Sequence, residues 1–133
     1  MLAVDSSTMI AFLQGQEGED VSLLERLLHA GEVILPPAVL SELCSNPRLT
    51  AEARDRLCAL PLLETLGGYW LRVGLLRASI LATGRKARLA DALIAQSCID
   101  HHLALLTRDH DFRHYAEYGG MVLAENKVFS AGH

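Results

Sequence analysis

Aromatic residues are scarce. Phe, Trp and Tyr make up 5% of the 133 residues, although 50% of the chain is hydrophobic. A core must therefore be built from Leu, Ala, Val and Ile. The abundant Ala and Leu favour helices, and the short β-branched runs between them favour strands. Cysteine is sparse too. Cys44, Cys58 and Cys98 are odd in number, widely spaced and form no C-x-x-C pair. No disulfide framework is expected; each falls on an expected helix as a buried, reduced thiol. Long apolar runs are missing: none reaches the roughly 18 residues of a membrane span. Met1-Leu2-Ala3-Val4 meets Asp5 at once, without the basic and apolar regions of a secretory signal. A cytoplasmic protein with no membrane partner is expected. Positive charge is also short. A formal net charge of −4 argues against bulk capture of nucleic acid but leaves room for a local basic patch.

What the chain does have is alternation. Leu2-Ala3-Val4, Val33-Ile34-Leu35, Pro61-Leu62-Leu63, Leu103 to Leu106 and Met121-Val122-Leu123 read as short buried strands. Helices are expected between them. The first starts from a Ser6 or Ser7 cap, and the next carries Val21, Leu24, Leu27 and Leu28 up to a stop at Gly31. Others run from Pro37 to Ser45, from a Thr50 cap to Ala59, from Tyr69 to Thr83, and from Leu89 to His101. In the last, Leu89, Leu93, Ile94 and Ile99 are the inward candidates. The expected fold is a single domain over residues 1–133. It is a three-layer α/β/α arrangement with a mainly parallel sheet of about five short strands.

Sites in such sheets form beyond the carboxyl ends of the strands. Asp5 directly follows the first strand, and Asp109 follows the fourth. Glu42 lies in the helix after the second strand and can lean back, because helical side chains tilt towards the N-terminus. Asp91 opens the Leu89 helix. Four acids from four segments can thus converge. Packed carboxylates raise one another's pKa, and a divalent cation is the usual remedy. An all-oxygen set favours Mg²⁺ or Mn²⁺ over zinc. Each acid also has a plainer role available. Asp5 can cap a strand end, Glu42 can be solvated, Asp91 suits the helix dipole, and Asp109 and Asp111 suit a turn. His110 and His114 lack a third nitrogen or sulfur ligand for zinc. Without a G-x-S-x-G elbow, a hydrolase triad has no support.

Four short segments, "LAVDSS", "LPPAVLSEL", "RLADALIAQ" and "LLTRDHDF", occur in this order across nearly the whole chain. Together they resemble the PIN-domain ribonucleases, and within them the VapC toxins of toxin–antitoxin pairs. The resemblance implies a PIN-like fold and an endoribonuclease that hydrolyses RNA phosphodiester bonds with water activated by Mg²⁺ or Mn²⁺. It makes Asp5, Glu42, Asp91 and Asp109 the acidic metal-binding and catalytic residues, with Thr107, Asp111 and Ser6 in support. It further implies a homodimer and a cognate antitoxin. Ile10, Phe12, Leu24 and Leu28 could contact that antitoxin, although core packing suits most of them better. Cations beside the acids would attract RNA: Arg85, Lys86 and Arg88 before Asp91, and Arg108 beside Asp109. Two other classes fit parts of the pattern. A receiver-like phospho-acceptor would need paired early acids and a late lysine; here there is one early acid, and Lys127 lies beyond the fifth strand. A non-catalytic acidic binding domain would carry the same acids without metal-dependent chemistry.

Overall fold

Three consecutive apolar residues with no polar alternation belong in a strand covered on both faces. The first strand, β1 (Leu2–Val4), is buried at every position. In the computed structural model, which describes residues 1–124, it is the centre of a parallel sheet ordered β2-β1-β3. Leu2 and Ala3 pair with Val33 and Ile34 of β2 (Val33–Ile34). Ala3 and Val4 pair with Leu105 and Leu106 of β3 (Leu105–Leu106).

The sheet is narrower than the five strands expected. Pro61 to Leu63 and Met121 to Leu123 each contribute one parallel bridge, Leu62 to Leu35 and Leu123 to Leu105. Two backbone hydrogen bonds hold each bridge, from Leu35 N–H to the Pro61 carbonyl and from Leu63 N–H back to Leu35 on one side. Pro61 cannot donate to a ladder, and with Leu62 and Val122 exposed but Leu63 and Met121 buried, each segment is covered on one face only.

Seven helices occur among the described residues: α1 (Ser6–Leu13), α2 (Glu19–His29), α3 (Pro37–Cys44), α4 (Ala51–Cys58), α5 (Tyr69–Leu81), α6 (Leu89–Asp100) and α7 (Phe112–Gly119). Thr50 caps α4 as expected, accepting from Ala53 N–H at 3.1 Å. The cap of α1 is Asp5 rather than Ser6 or Ser7, with Ser7 N–H donating to its carboxylate at 3.4 Å. Helix α7 was not anticipated. Its signal is short, just Phe112 and Tyr115 three apart, and these two are almost completely buried in the core. Leu89 is exposed where an inward position was expected, because α6 turns Ala92, Ile94, Ala95 and Cys98 to the core instead. Only Cys98 is a buried thiol, pushed up to about 12 by burial; Cys44 and Cys58 are exposed on short surface helices. Among the described residues no helix is long and apolar enough to cross a membrane.

Candidate functional site

The parallel register puts the carboxyl ends of β1 and β3 side by side, and the residues that follow meet there. Asp5 N–H donates to the Leu106 carbonyl at 2.9 Å. This bond continues the ladder one step past β1 and brings Asp5 opposite Thr107. Asp5 is 3% exposed and surrounded by donors. Its Oδ2 accepts from Ser7 Oγ at 2.7 Å and from Thr107 Oγ1 at 2.8 Å. Ser7 Oγ and Thr107 Oγ1 are 3.1 Å apart. Thr107 Oγ1 also accepts from Asp109 N–H at 3.0 Å, which links the two acids through one hydroxyl. Ser7 accepts from Arg108 N–H at 3.2 Å.

The other acids arrive from helices. Glu42 on α3 accepts from Ser6 Oγ at 3.1 Å. Burial pushes its carboxyl up and the Ser6 hydroxyl opposes this, while the charges of Asp5 and Asp109 push it further up. Asp91, in the first turn of α6, is 5% exposed. Burial pushes it up to about 6; Arg88 opposes, and Asp109 and Asp5 add to the rise. Asp5 and Asp109 thus act through space on both Glu42 and Asp91, so the four acids lie near one edge. They are not preassembled around an ion, since among the described residues no three His, Cys, Asp or Glu groups stand ready to hold one.

Asp111 sits at the N-cap position of α7 but makes no side-chain cap bond; its N–H donates to Asp109 Oδ1 at 2.9 Å. Of the cations, Arg88 reaches inside the cluster. Its Nε donates to Asp91 Oδ2 at 3.1 Å and its Nη2 to Asp109 Oδ2 at 3.1 Å. Arg108 turns away from the acids and forks onto Asp20 at 2.7 and 2.8 Å. Arg85 lies over the Tyr118 ring at 5.2 Å, and Lys86 is exposed. Ser7 and Asp20 were absent from the expected support. Ser7 was legible only as a cap beside Asp5. Nothing in the spacing tied Asp20 to Arg108, 88 positions away.

The model of the PIN domain matches residues 2–118. The chain belongs to the PIN-domain family. The match displaces the receiver-like alternative, and Lys127, which bears on that alternative, lies outside the described residues. Several solved structures share this PIN domain's fold. VapBC2 from Rickettsia felis, bound to a DNA fragment from its promoter, aligns with TM-score 0.69 and 16% identity over 92% of this chain and 96% of that one. DNA-bound VapBC from Salmonella typhimurium aligns with TM-score 0.68 and 20% identity over 95% and 99%. FitAcB from Neisseria gonorrhoeae aligns with TM-score 0.68 and 17% identity over 96% and 99%. At such identities the likeness is one of fold. A search of curated protein sequences gives no match.

Proposed function

We propose that this PIN domain is a divalent-metal-dependent endoribonuclease and the toxin of a toxin–antitoxin pair. The observation that carries the reading is the meeting of Asp5, Glu42, Asp91 and Asp109, from four separate segments, at the carboxyl edge of β1 and β3. Burial pushes Asp91 and Glu42 up, the charges of Asp5 and Asp109 add to the rise, and the donors are all hard oxygens. Both features fit Mg²⁺ or Mn²⁺. Asp5, Asp91 and Asp109 would hold the ion, with Glu42 near it. The ion, when bound, would neutralise the cluster and favour ionisation of water beside an RNA phosphate.

The chain's own groups divide the remaining work. Ser7 and Thr107 hold the Asp5 carboxylate in one orientation. Glu42, kept near Asp5 by Ser6, accepts a proton from the attacking water, and burial raises its affinity for that proton. Arg85 and Lys86, exposed just before α6, supply charge for the RNA backbone. Arg108, engaged by Asp20, is assigned to structure instead.

A cognate antitoxin is the proposed protein partner. The structural relatives named as VapBC support it, as does a cleft of about 430 Å³ beside Glu42 lined by Ile10, Leu13, Leu43 and Leu49. Of the apolar candidates, Ile10 is exposed there, whereas Leu24 is core. A cytoplasmic homodimer completes the proposal.

The deciding experiment compares the wild type with Asp5→Asn. MnCl₂ should raise the melting temperature of the wild type and not of the variant, because an ion that binds only the folded state stabilises it. RNA cleavage should be lost in the variant. At equal expression, the wild type should arrest growth and the variant should not. Full cleavage by purified Asp5→Asn would refute the assigned site, and a wild type indifferent to Mn²⁺ would leave a non-catalytic acidic domain.

A further inference from the structure

Arg88 is the one basic residue of its loop whose guanidinium enters the acid cluster. Its Nε and Nη2 take one oxygen each from Asp91 and Asp109, at 3.1 Å, and Nη2 also lies 3.4 Å from Asp91 Oδ1. The two acids come from different elements, the first turn of α6 and the turn after β3. A planar fork can bridge two such carboxylates where a lysine point charge would not.

The backbone beneath this side chain is fixed. Tyr115 Oη and Ala92 N–H both donate to the Arg88 carbonyl, at 3.2 and 3.1 Å, and Arg77 Nε donates to the neighbouring Ala87 carbonyl at 2.7 Å. The side chain itself is 65% exposed. Arg88 is therefore a solvent-exposed arm on a fixed backbone mount. Arg108 shows the contrast: it is 34% exposed and held by Asp20, Gln16 and the Glu17 carbonyl.

The carboxylate oxygens bridged by Arg88 are those that a divalent cation would need. A guanidinium and a cation cannot both occupy them at close range, because two positive groups would then crowd the same oxygens. We propose, resting on the metal-dependent reading above, that Arg88 is an internal counter-cation competing with the divalent ion. It holds Asp91 and Asp109 together in the metal-free protein. When the ion binds, the arm is released towards the site mouth, where an RNA phosphate is its next acceptor. Arg88 is thus a positioning residue that couples metal loading to substrate capture.

The test titrates the purified full-length protein with MnCl₂ by calorimetry, without RNA. Removing two partly exposed ion pairs should tighten Mn²⁺ binding by roughly three- to tenfold in Arg88→Gln. Arg88→Lys should fall between that variant and the wild type. In parallel, the Arg88 Nε–H signal of a ¹⁵N-labelled wild-type sample should shift on Mg²⁺ addition and exchange faster with solvent. Equal or weaker Mn²⁺ affinity in a folded Arg88→Gln, or an Arg88 signal unmoved at saturating Mg²⁺, overturns the competition. If Arg88→Gln fails to fold, Arg88→Lys decides: tighter binding supports the proposal and unchanged binding overturns it. Wild type and variant both blind to Mn²⁺ would bring down the metal reading beneath the proposal. Wild-type binding without tightening brings down the Arg88 role alone.

Discussion

At the scale of single residues, Asp5 carries two loads. It caps α1 and anchors the hydroxyl pair of Ser7 and Thr107, so its position is set by backbone and side chain together. Asp91 is set differently, by burial, and its raised pKa has a consequence for stability. A carboxyl raised to about 6 in the fold binds its proton more tightly there than in the unfolded chain. That contribution is fully present below about pH 4 and is lost as pH rises through 6, on the order of 3 kcal/mol in all. Asp91→Asn should therefore melt several degrees above the wild type at pH 8 in EDTA, and the gap should close towards pH 4. A variant that melts lower at both pH values would contradict burial as the dominant cause. Asp5 and Asp109 were legible because residues that follow parallel strands have a known address, and Glu42 and Asp91 because their helix positions let them lean to the same edge. Arg88 and Arg108 were not. Both read as free cations, yet one lies among the acids and the other on Asp20. A long side chain's direction is decided by partners far away in sequence, which spacing does not reveal.

At the scale of elements, the turn between α1 and α2 braces the site from behind. Arg108, next to Asp109, reaches across to Asp20 in the first turn of α2, and Thr8 of α1 donates to the same Asp20 carboxylate at 3.0 Å. Arg108 foremost holds the Asp20 carboxyl below the usual range. Gly18 makes room for this clasp. A Cβ there would meet Asp20 Oδ1 at 2.6 Å and Arg108 Nη2 at 2.9 Å, at a φ of +154°. Gly18→Ala should cost roughly 1–3 kcal/mol in urea denaturation. It should also slow cleavage, since the Arg108 backbone donates to Ser7. Wild-type stability in this variant would show that the clasp yields without cost. Most helices were legible from cap and glycine signals. The outer strands were expected but shrink to one bridge each, and α7 was missed because two buried rings leave too short a pattern. Whether such a segment pairs depends on the cover it receives from the rest of the fold.

At the scale of the whole molecule, one surface stands out. Helix α5 buries Tyr69, Val73, Leu76 and Ile80, and on its other side exposes Trp70, Leu71, Leu75 and Leu81. They form an apolar stripe on one helix, with Trp70 and Leu71 the most exposed large apolar residues described. The stripe is the natural seat for the proposed second copy. Leu75→Glu should convert the dimer into a monomer by size-exclusion chromatography with light scattering, with an unchanged circular dichroism spectrum. Unaltered mass would move the dimer contact elsewhere.

The pairing of β1 with β3 also orders events in time. Asp5 and Thr107 are separated by 102 positions, and their hydroxyl–carboxylate bond closes only when both ends are present. At 5–20 residues per second, a ribosome needs roughly 5–20 s to cover that span. Throughout this interval the emerging polypeptide has its first acid but not its last, and no edge on which to assemble them. The sheet register thus sets the order in which the residues of the site can meet.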